Sequence, residues 1–226
     1  MQYVSPIGSG NILLMDQKGI CGVETDRGIL QSRIVVNAAG PFAAEIGRMV
    51  NMDLPLEPVR RQKVYIQTAV PVPEHAPFTV DVNNNSYWRP EPGGVIIGWV
   101  DSDEPVSEPS EKVNTDWEFP AIALDKVRRL TPFFEKIEKT VKQPDMNTSA
   151  GYYMYTPDDQ PLIGPIPEVP GFYVNCGYWA GVMLSPEAGK RISALVTEKL
   201  APEDNPLRPT RFKEGVVKKG KTLMSH

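Results

Sequence analysis

Residues 151–189 read GYYMYTPDDQPLIGPIPEVPGFYVNCGYWAGVMLSPEAG, and the way this stretch folds decides how the rest of the chain is read. It divides into a loop able to close on a ligand, a strand, and a Gly-rich turn that runs straight into a helix. Phe172-Tyr173-Val174-Asn175-Cys176 is rich in strand formers and follows a Pro170-Gly171 turn. Gly177 and Gly181 bracket a turn whose backbone can approach another molecule closely. Ser185 is placed as N-cap, with Pro186 at the first helical position and Glu187 in the first turn. A helix start aimed at a ligand offers unpaired N–H groups and a partial positive charge. It suits a group that is, or becomes, anionic.

Upstream, residues 1–50 read as short strands joined by turns: Ile12–Met15, Gly19–Thr25, Ile29-Leu30, and Arg33 to Asn37. The last is a nearly unbroken apolar run, as expected of a strand buried on both faces. It ends in Ala38-Ala39-Gly40, small residues that let the backbone pass beside a ligand, and Pro41 opens a helix to about Val50.

The middle of the chain has a different texture. Val59 to Thr68 and Thr79 to Val82 read as strands, and Glu91-Pro92-Gly93-Gly94 joins Tyr87–Pro90 to Val95–Trp99 as a hairpin. Residues 101–116 are polar, acidic and Pro-containing, hence a solvated loop. A helix is expected from near Pro120 to Leu130, with Ala123, Val127 and Leu130 on one face and Thr131-Pro132 as its stop. A second runs from Ser185 to Leu200, with Ala188, Ile192 and Leu195 inward.

Composition narrows the chemistry. The chain has 226 residues, 41% hydrophobic and 23% charged, with a net charge of −4. That is ordinary for a soluble globular protein and argues against nucleic acid or an anionic membrane as partner. No apolar run approaches the ~20 residues of a bilayer span, and no basic-then-apolar leader follows Met1. With two cysteines, Cys21 and Cys176, a reducing cytoplasmic setting is the expectation. The only histidines are His75, in a Pro-rich loop, and His226. A zinc site or a Ser-His-Asp triad is therefore hard to assemble, and no Walker A sequence occurs. Borrowed cofactor chemistry is the economical route to catalysis.

Three blocks in order resemble the FAD-dependent amine and amino-acid oxidoreductases of the D-amino-acid-oxidase-like superfamily. They are Gly22–Gly28 with Ile34–Pro41, then Pro58-Val59-Arg60-Arg61-Gln62, then the 151–189 stretch. Gly151–Asp158 is most similar to the branch of sarcosine oxidase beta subunits and dimethylglycine dehydrogenases. The resemblance spans roughly residues 12 to 212 and implies an α+β architecture. Residues 1–53 and 147–212 would be segments of a Rossmann-like FAD domain, 54–146 an antiparallel substrate domain, and 213–226 a tail. Such enzymes begin with a GxGxxG βαβ unit, which is not found here. Gly8-Ser9-Gly10 is a false start, with Leu13 where the third glycine belongs. The chain accordingly reads as the C-terminal portion of a larger flavoprotein.

By the family pattern, Ala39, Gly40, Gly164, Gly181, Val182, Met183 and Leu184 would line a non-covalent FAD, and Tyr153, Tyr155 and Arg60 would serve the substrate. The resemblance implies hydride transfer from the carbon beside an amine to flavin N5, on a sarcosine-, dimethylglycine- or proline-like amino acid. Relatives that tether flavin use a cysteine where Tyr153 stands, and amino-acid oxidases place a carboxylate-gripping arginine there. Tyr153 does neither, so Arg60, Arg61 or Arg89 would have to hold a carboxylate. Arg60 and Arg61 alternate faces on their strand, so at most one points at the flavin. Tyr155, Tyr87 and Trp88 are candidate pocket walls or core. Met183 occupies the position of an oxygen-activating lysine, which favours a dehydrogenase over an oxidase. Three readings stay open: an enzyme portion, a catalytically incomplete fragment, and a subunit completed by a complementary N-terminal chain; the partner is such a chain or, alternatively, further copies in a homo-oligomer.

Overall fold

A computed structural model describes residues 12–216. The Gly8–Gly10 false start and the Lys218–Lys221 cluster lie outside the described residues. Among those described, 12–58 with 153–216 form one compact unit and 59–152 form another.

The first unit opens with an antiparallel meander of β1 (Ile12–Asp16), β2 (Gly19–Thr25) and β3 (Gly28–Gln31). Its second sheet has the order β10-β11-β4, from Leu162–Pro165 (β10), Phe172–Cys176 (β11) and Val35–Asn37 (β4). β10 and β11 are antiparallel, whereas β11 and β4 run parallel with Val174 opposite Asn37. Strand periodicity sorts the side chains of β11: Phe172, Val174 and Cys176 are buried, with Tyr173 and Asn175 on the other face. The first set packs with Ile20, Ala43, Val50, Leu54 and Leu162. On the opposite face, Ile163 meets Ala188, Ile192 and Leu195 of helix α4 (Gly181–Val196). A 3-10 turn at Gly40–Phe42 leads into α1 (Ala43–Arg48).

Two expectations change here. β4 is three residues long, with Val35 and Val36 only half-buried and Ile34 exposed. Its apolar run suggested burial on both faces, but β4 is the edge strand of its sheet and only β11 flanks it among the described residues. Helix α4 starts at Gly181, one turn ahead of Ser185, so Ser185 is not its cap. Pro186 then sits inside the helix, where its missing N–H leaves the Val182 carbonyl without a donor. The Ser185 hydroxyl donates to that carbonyl at 2.9 Å, which is how this proline is tolerated.

The second unit is built on the sheet β6-β7-β8-β5-β9, from β5 (Glu57–Gln67), β6 (Thr79–Asp81), β7 (Ser86–Glu91), β8 (Gly94–Trp99) and β9 (Met146–Tyr155). The outer residues of β5 and β9, 57–58 and 153–155, belong to the first unit. Two helices cover one face: α2 (Phe119–Leu130) and α3 (Phe134–Thr140). Val64, Ile66, Trp88, Val95 and Ile97 from the sheet pack with Phe119, Ala123, Leu124, Val127, Phe134 and Ile137. Fully burying each Val, Leu, Ile or Phe side chain among these contributes about 1.5–3 kcal/mol. The Trp88 indole stands edge-on to Phe133 and Phe134 at 5.2 and 5.4 Å and donates its N–H to Thr131 at 3.0 Å. Leu130, expected inside, is 39% exposed, because the buried stripe of α2 ends at Val127. Seven residues after Pro132, too few to show a period, form the unanticipated α3.

Candidate functional site

Because β4 and β11 are parallel neighbours, the turns that follow them, 38–42 and 177–180, leave the same carboxyl edge of the sheet. In open α/β sheets that edge is where ligands are held. Each turn is fixed from beneath. Asn37, almost fully buried, donates from Nδ2 to the Ala43 carbonyl at 2.8 Å and accepts the Ala39 N–H at 3.3 Å. Gly40 adopts φ +55, a left-handed conformation that suits glycine, and a Cβ added there would meet nothing within 4 Å. The space above it is open.

In the second turn, the Tyr178 hydroxyl donates to the Asn175 side chain, and Trp179 Nε1 donates to the Asp159 carbonyl at 3.2 Å. The Met154 N–H bonds the Tyr178 carbonyl at 3.2 Å. Burial and the neighbouring Cys176 push the Tyr178 phenol up, so it remains a neutral donor. Burial alone pushes the Cys176 thiol up to about 12, which makes it inert as a nucleophile. The turn delivers the chain into α4, whose first closing bond runs from Leu184 N–H to the Ala180 carbonyl at 3.2 Å. Helix geometry thus leaves the amides of Gly181, Val182 and Met183 without an intrahelical acceptor, at the positive end of the helix. The side chains around them are apolar and open: Val182 is 91% exposed, Met183 75% and Leu184 38%.

The structure therefore gathers Ala39, Gly40, Gly181, Val182, Met183 and Leu184 at one sheet edge. Gly164 lies elsewhere. It faces Val174 in mid-strand with φ +141, a conformation that side-chain-bearing residues rarely adopt, and a Cβ there would crowd Pro209 at 3.3 Å, so backbone and packing together account for glycine. Tyr153 and Tyr155 end β9, the first half-buried and the second 5% exposed.

Arg60 lies in the second unit on the helix-covered face, in step with Gln62, Val64 and Ile66. Its Nε reaches Glu104 at 2.7 Å, and its Nη2 reaches Asp116 at 2.7 Å. Gln62 also bonds Asp116: its Nε2 donates to the carboxylate, and its Oε1 accepts the Asp116 backbone N–H. The Arg60 guanidinium holds the Asp116 carboxyl below the usual carboxylate range, with Gln62 assisting against burial. The loop at 101–116, solvated by composition, is thus pinned near both ends, and Arg60 is its anchor. Arg61 gives its Nη1 to the carbonyls of Arg60 and Asp101.

The sequence reading missed a second anchor. Arg211, 2% exposed, grips Asp158 bidentately, with Nε and Nη2 each 2.8 Å from a carboxylate oxygen. Thr156 Oγ1 and the Gln160 N–H complete the cage around Asp158, each at 3.1 Å. Burial pushes the Asp158 carboxyl up, but Arg211 and these two donors more than reverse it, and it is held below its ordinary value. The loop expected to close on a ligand is therefore fixed by an ion pair. Its Asp159 carbonyl holds Trp179, and so steadies the start of α4.

The sequence matches the family described as FAD dependent oxidoreductase (DAO) over residues 12–195. It is 27% identical to mitochondrial dimethylglycine dehydrogenase of Homo sapiens over 94% of this chain and 25% of that protein. It is 29% identical to mitochondrial sarcosine dehydrogenase of Homo sapiens over 77% of this chain and 19% of that one. The structure of L-proline dehydrogenase from P. horikoshii superposes with a TM-score of 0.77 at 27% identity, covering 93% of this chain and 55% of that chain. The chain thus spans about a quarter or less of the two human relatives and about half of the proline dehydrogenase chain.

Proposed function

We propose, from the premise that this chain belongs to the FAD-dependent oxidoreductase family, that it is the C-terminal portion of an enzyme oxidising a secondary or N-methylated amino acid. The observation that carries the reading is the paired exit of the 38–42 and 177–180 turns from adjacent parallel strands, one ending in an open Gly40 and the other in the free amides of α4.

The residues present fit a flavin. The amides of Gly181, Val182 and Met183 would hold negative charge on the reduced ring, and Ala39 and Gly40 are small enough to lie beside it. Val182, Met183 and Leu184 would shield it from water. Bound FAD supplies the acceptor for a hydride equivalent from the carbon beside the substrate amine. The chain's own part is to orient that carbon and to exclude water, with Tyr153 and Tyr155 as aromatic walls. Tyr153 offers no thiol for a thioether, so we take the flavin to be non-covalent at this position. Met183, a residue without charge, goes with electron delivery to an acceptor other than oxygen. The substrate class rests on relatives named for dimethylglycine, sarcosine and proline.

A second reading, in which a further chain supplies a dinucleotide-binding unit, is favoured by β4. Its outer edge is unpaired among the described residues, and Val35 and Val36 are half-buried, as a strand awaiting a parallel neighbour would be.

The test is the visible absorbance of the purified chain after FAD addition and gel filtration. A retained flavin band, bleached anaerobically by proline, sarcosine or dimethylglycine, is the expected result. No retained flavin sinks the single-chain form and leaves the partner reading, which co-expression with a GxGxxG fragment then tests. Flavin retained but unbleached by all three amines overturns the substrate class.

A further inference from the structure

Residues 101–118, DSDEPVSEPSEKVNTDWE, carry seven carboxylates against one lysine. Their backbone is moored at Glu104 and Asp116, both held by Arg60, and Gln62 accepts the Asp116 N–H. Trp117 follows that anchor directly. Two residues further on, Phe119 is buried at the start of α2 and donates its N–H to the Asp116 carbonyl at 3.2 Å. Trp117 is thus held on both sides through its backbone, and yet it is 87% exposed.

Ile122, in the first turn of α2, is open as well. It lines a groove of about 140 Å³ with Trp99, Asp101, Glu104, Asp116 and Glu118, and Trp117 stands in the chain between the last two. All of these residues belong to the second unit. The groove is smaller than the ~300–1,000 Å³ of sites that enclose a small molecule. It has room for one side-chain head group.

The charges of the groove say which head group. Arg60 neutralises Glu104 and Asp116. Asp101 and Glu118 carry no ion pair among the described residues. The Trp99 ring already receives a cation, Lys126 Nζ at 5.0 Å, whereas Trp117 receives none among the described residues. Two unneutralised carboxylates beside an exposed indole suit a guanidinium, which forks onto carboxylate oxygens and stacks on aromatic faces. A second copy docked through the same patch would set like charges against each other. Nucleic acid and anionic membrane are repelled for the same reason.

We propose that Trp117, Ile122 and this groove form a docking surface for another polypeptide, whose docking segment carries an arginine beside an apolar residue. The arginine head group enters the groove and meets Asp101 and Glu118. The apolar residue lies on Trp117 and Ile122. Tryptophan and arginine are the residues that most often dominate protein interfaces, and a backbone already held in place lowers the ordering cost of binding. The surface is independent of the flavin and of the unpaired edge of β4, which belongs to the first unit.

The experiment titrates the full chain, by isothermal titration calorimetry, with a capped heptapeptide that alternates arginine and leucine. One control peptide replaces arginine by citrulline, which keeps the shape and removes the charge. A second control is N-acetylarginine amide, the head group without the segment. Trp117→Ser and Glu118→Gln alter exposed side chains, and Glu118 makes no side-chain cap on α2, so thermal unfolding should hardly change. Glu203→Gln, exposed in the first unit, makes the same change of charge elsewhere. We expect saturable binding that weakens with salt. It should be at least about tenfold weaker for the citrulline peptide and for Trp117→Ser. Glu118→Gln should lose about two- to fivefold, and Glu203→Gln should match the wild type. Equal affinity for the citrulline peptide overturns the proposal, as does an unaltered Trp117→Ser or the absence of saturable binding. A loss in Glu203→Gln equal to that in Glu118→Gln overturns it in favour of diffuse charge attraction. N-acetylarginine amide bound as tightly as the heptapeptide overturns it in favour of a small-cation site. A dimer seen by sedimentation and abolished by Trp117→Ser overturns it in favour of a second copy.

Discussion

At the scale of single residues, the Asp158–Arg211 pair is the most consequential contact in the first unit. Removing one member of a buried pair strands the other charge, so Asp158→Asn should lower unfolding stability by about 3–5 kcal/mol in urea denaturation. Asp158→Leu combined with Arg211→Met should recover most of that loss, because no charge remains to be desolvated. The pH dependence has a definite sign. With its folded value held below the ordinary 3.8, Asp158 contributes fully above the unfolded carboxylate value of about 3.9 and loses that contribution as pH falls through the folded value. Asp158→Asn should therefore flatten the acid limb of the stability curve, and an unchanged limb would show that the pair does not set it. Gly40→Ala tests the 38–42 turn. Its left-handed backbone implies a cost of about 1–2 kcal/mol, yet nothing in the protein opposes the methyl. Flavin retention should suffer much more than melting temperature. Neither Arg211 nor Asn37 was legible as important in the sequence. The partners Asp158 and Arg211 are 53 residues apart, and no local pattern announces a pairing at that range.

At the scale of elements, the sequence was read best where the signal is local. The strand Gly19–Thr25 and the hairpin around Gly93 declare themselves through alternation and turn chemistry. The start of α4 did not, because Ser185-Pro186-Glu187 is a good N-terminal signal that lies one turn inside the helix. The competing factor is the hydroxyl of Ser185, which takes over the Val182 carbonyl that Pro186 cannot serve. The two substitutions should consequently be coupled. Ser185→Ala is expected to cost about 0.5–1.5 kcal/mol alone, and appreciably less in a Pro186→Ala background, where a backbone donor is restored. A double-mutant cycle by thermal unfolding measures the difference, and strict additivity would refute the substitution of one donor for the other.

At the scale of the whole molecule, two cores share one chain, and the fluorophores are divided unequally between them. Trp88, Trp99 and Trp117 belong to the second unit, and Trp179 to the first. Phe134→Ala, which empties the aromatic cluster under Trp88, should cost about 3–5 kcal/mol. The loss should register in tryptophan emission dominated by the second unit. If emission and far-UV dichroism then transit together, the two cores unfold as one cooperative system. The change of sequence texture set the middle of the chain apart, and the resemblance alone implied that the segments flanking it pack together. The acidic segment at 101–116 hid its own role, since its composition describes its solvent exposure and not its anchors. Those anchors have a consequence for proteolysis. Glu104 and Asp116 are both moored to Arg60, while Lys112 stands exposed in the slack between them. Trypsin should nick the chain after Lys112 and yet release nothing. The two polypeptides would co-elute under native conditions and part only in denaturant, which makes this loop the natural point at which to split the chain or to insert a tag.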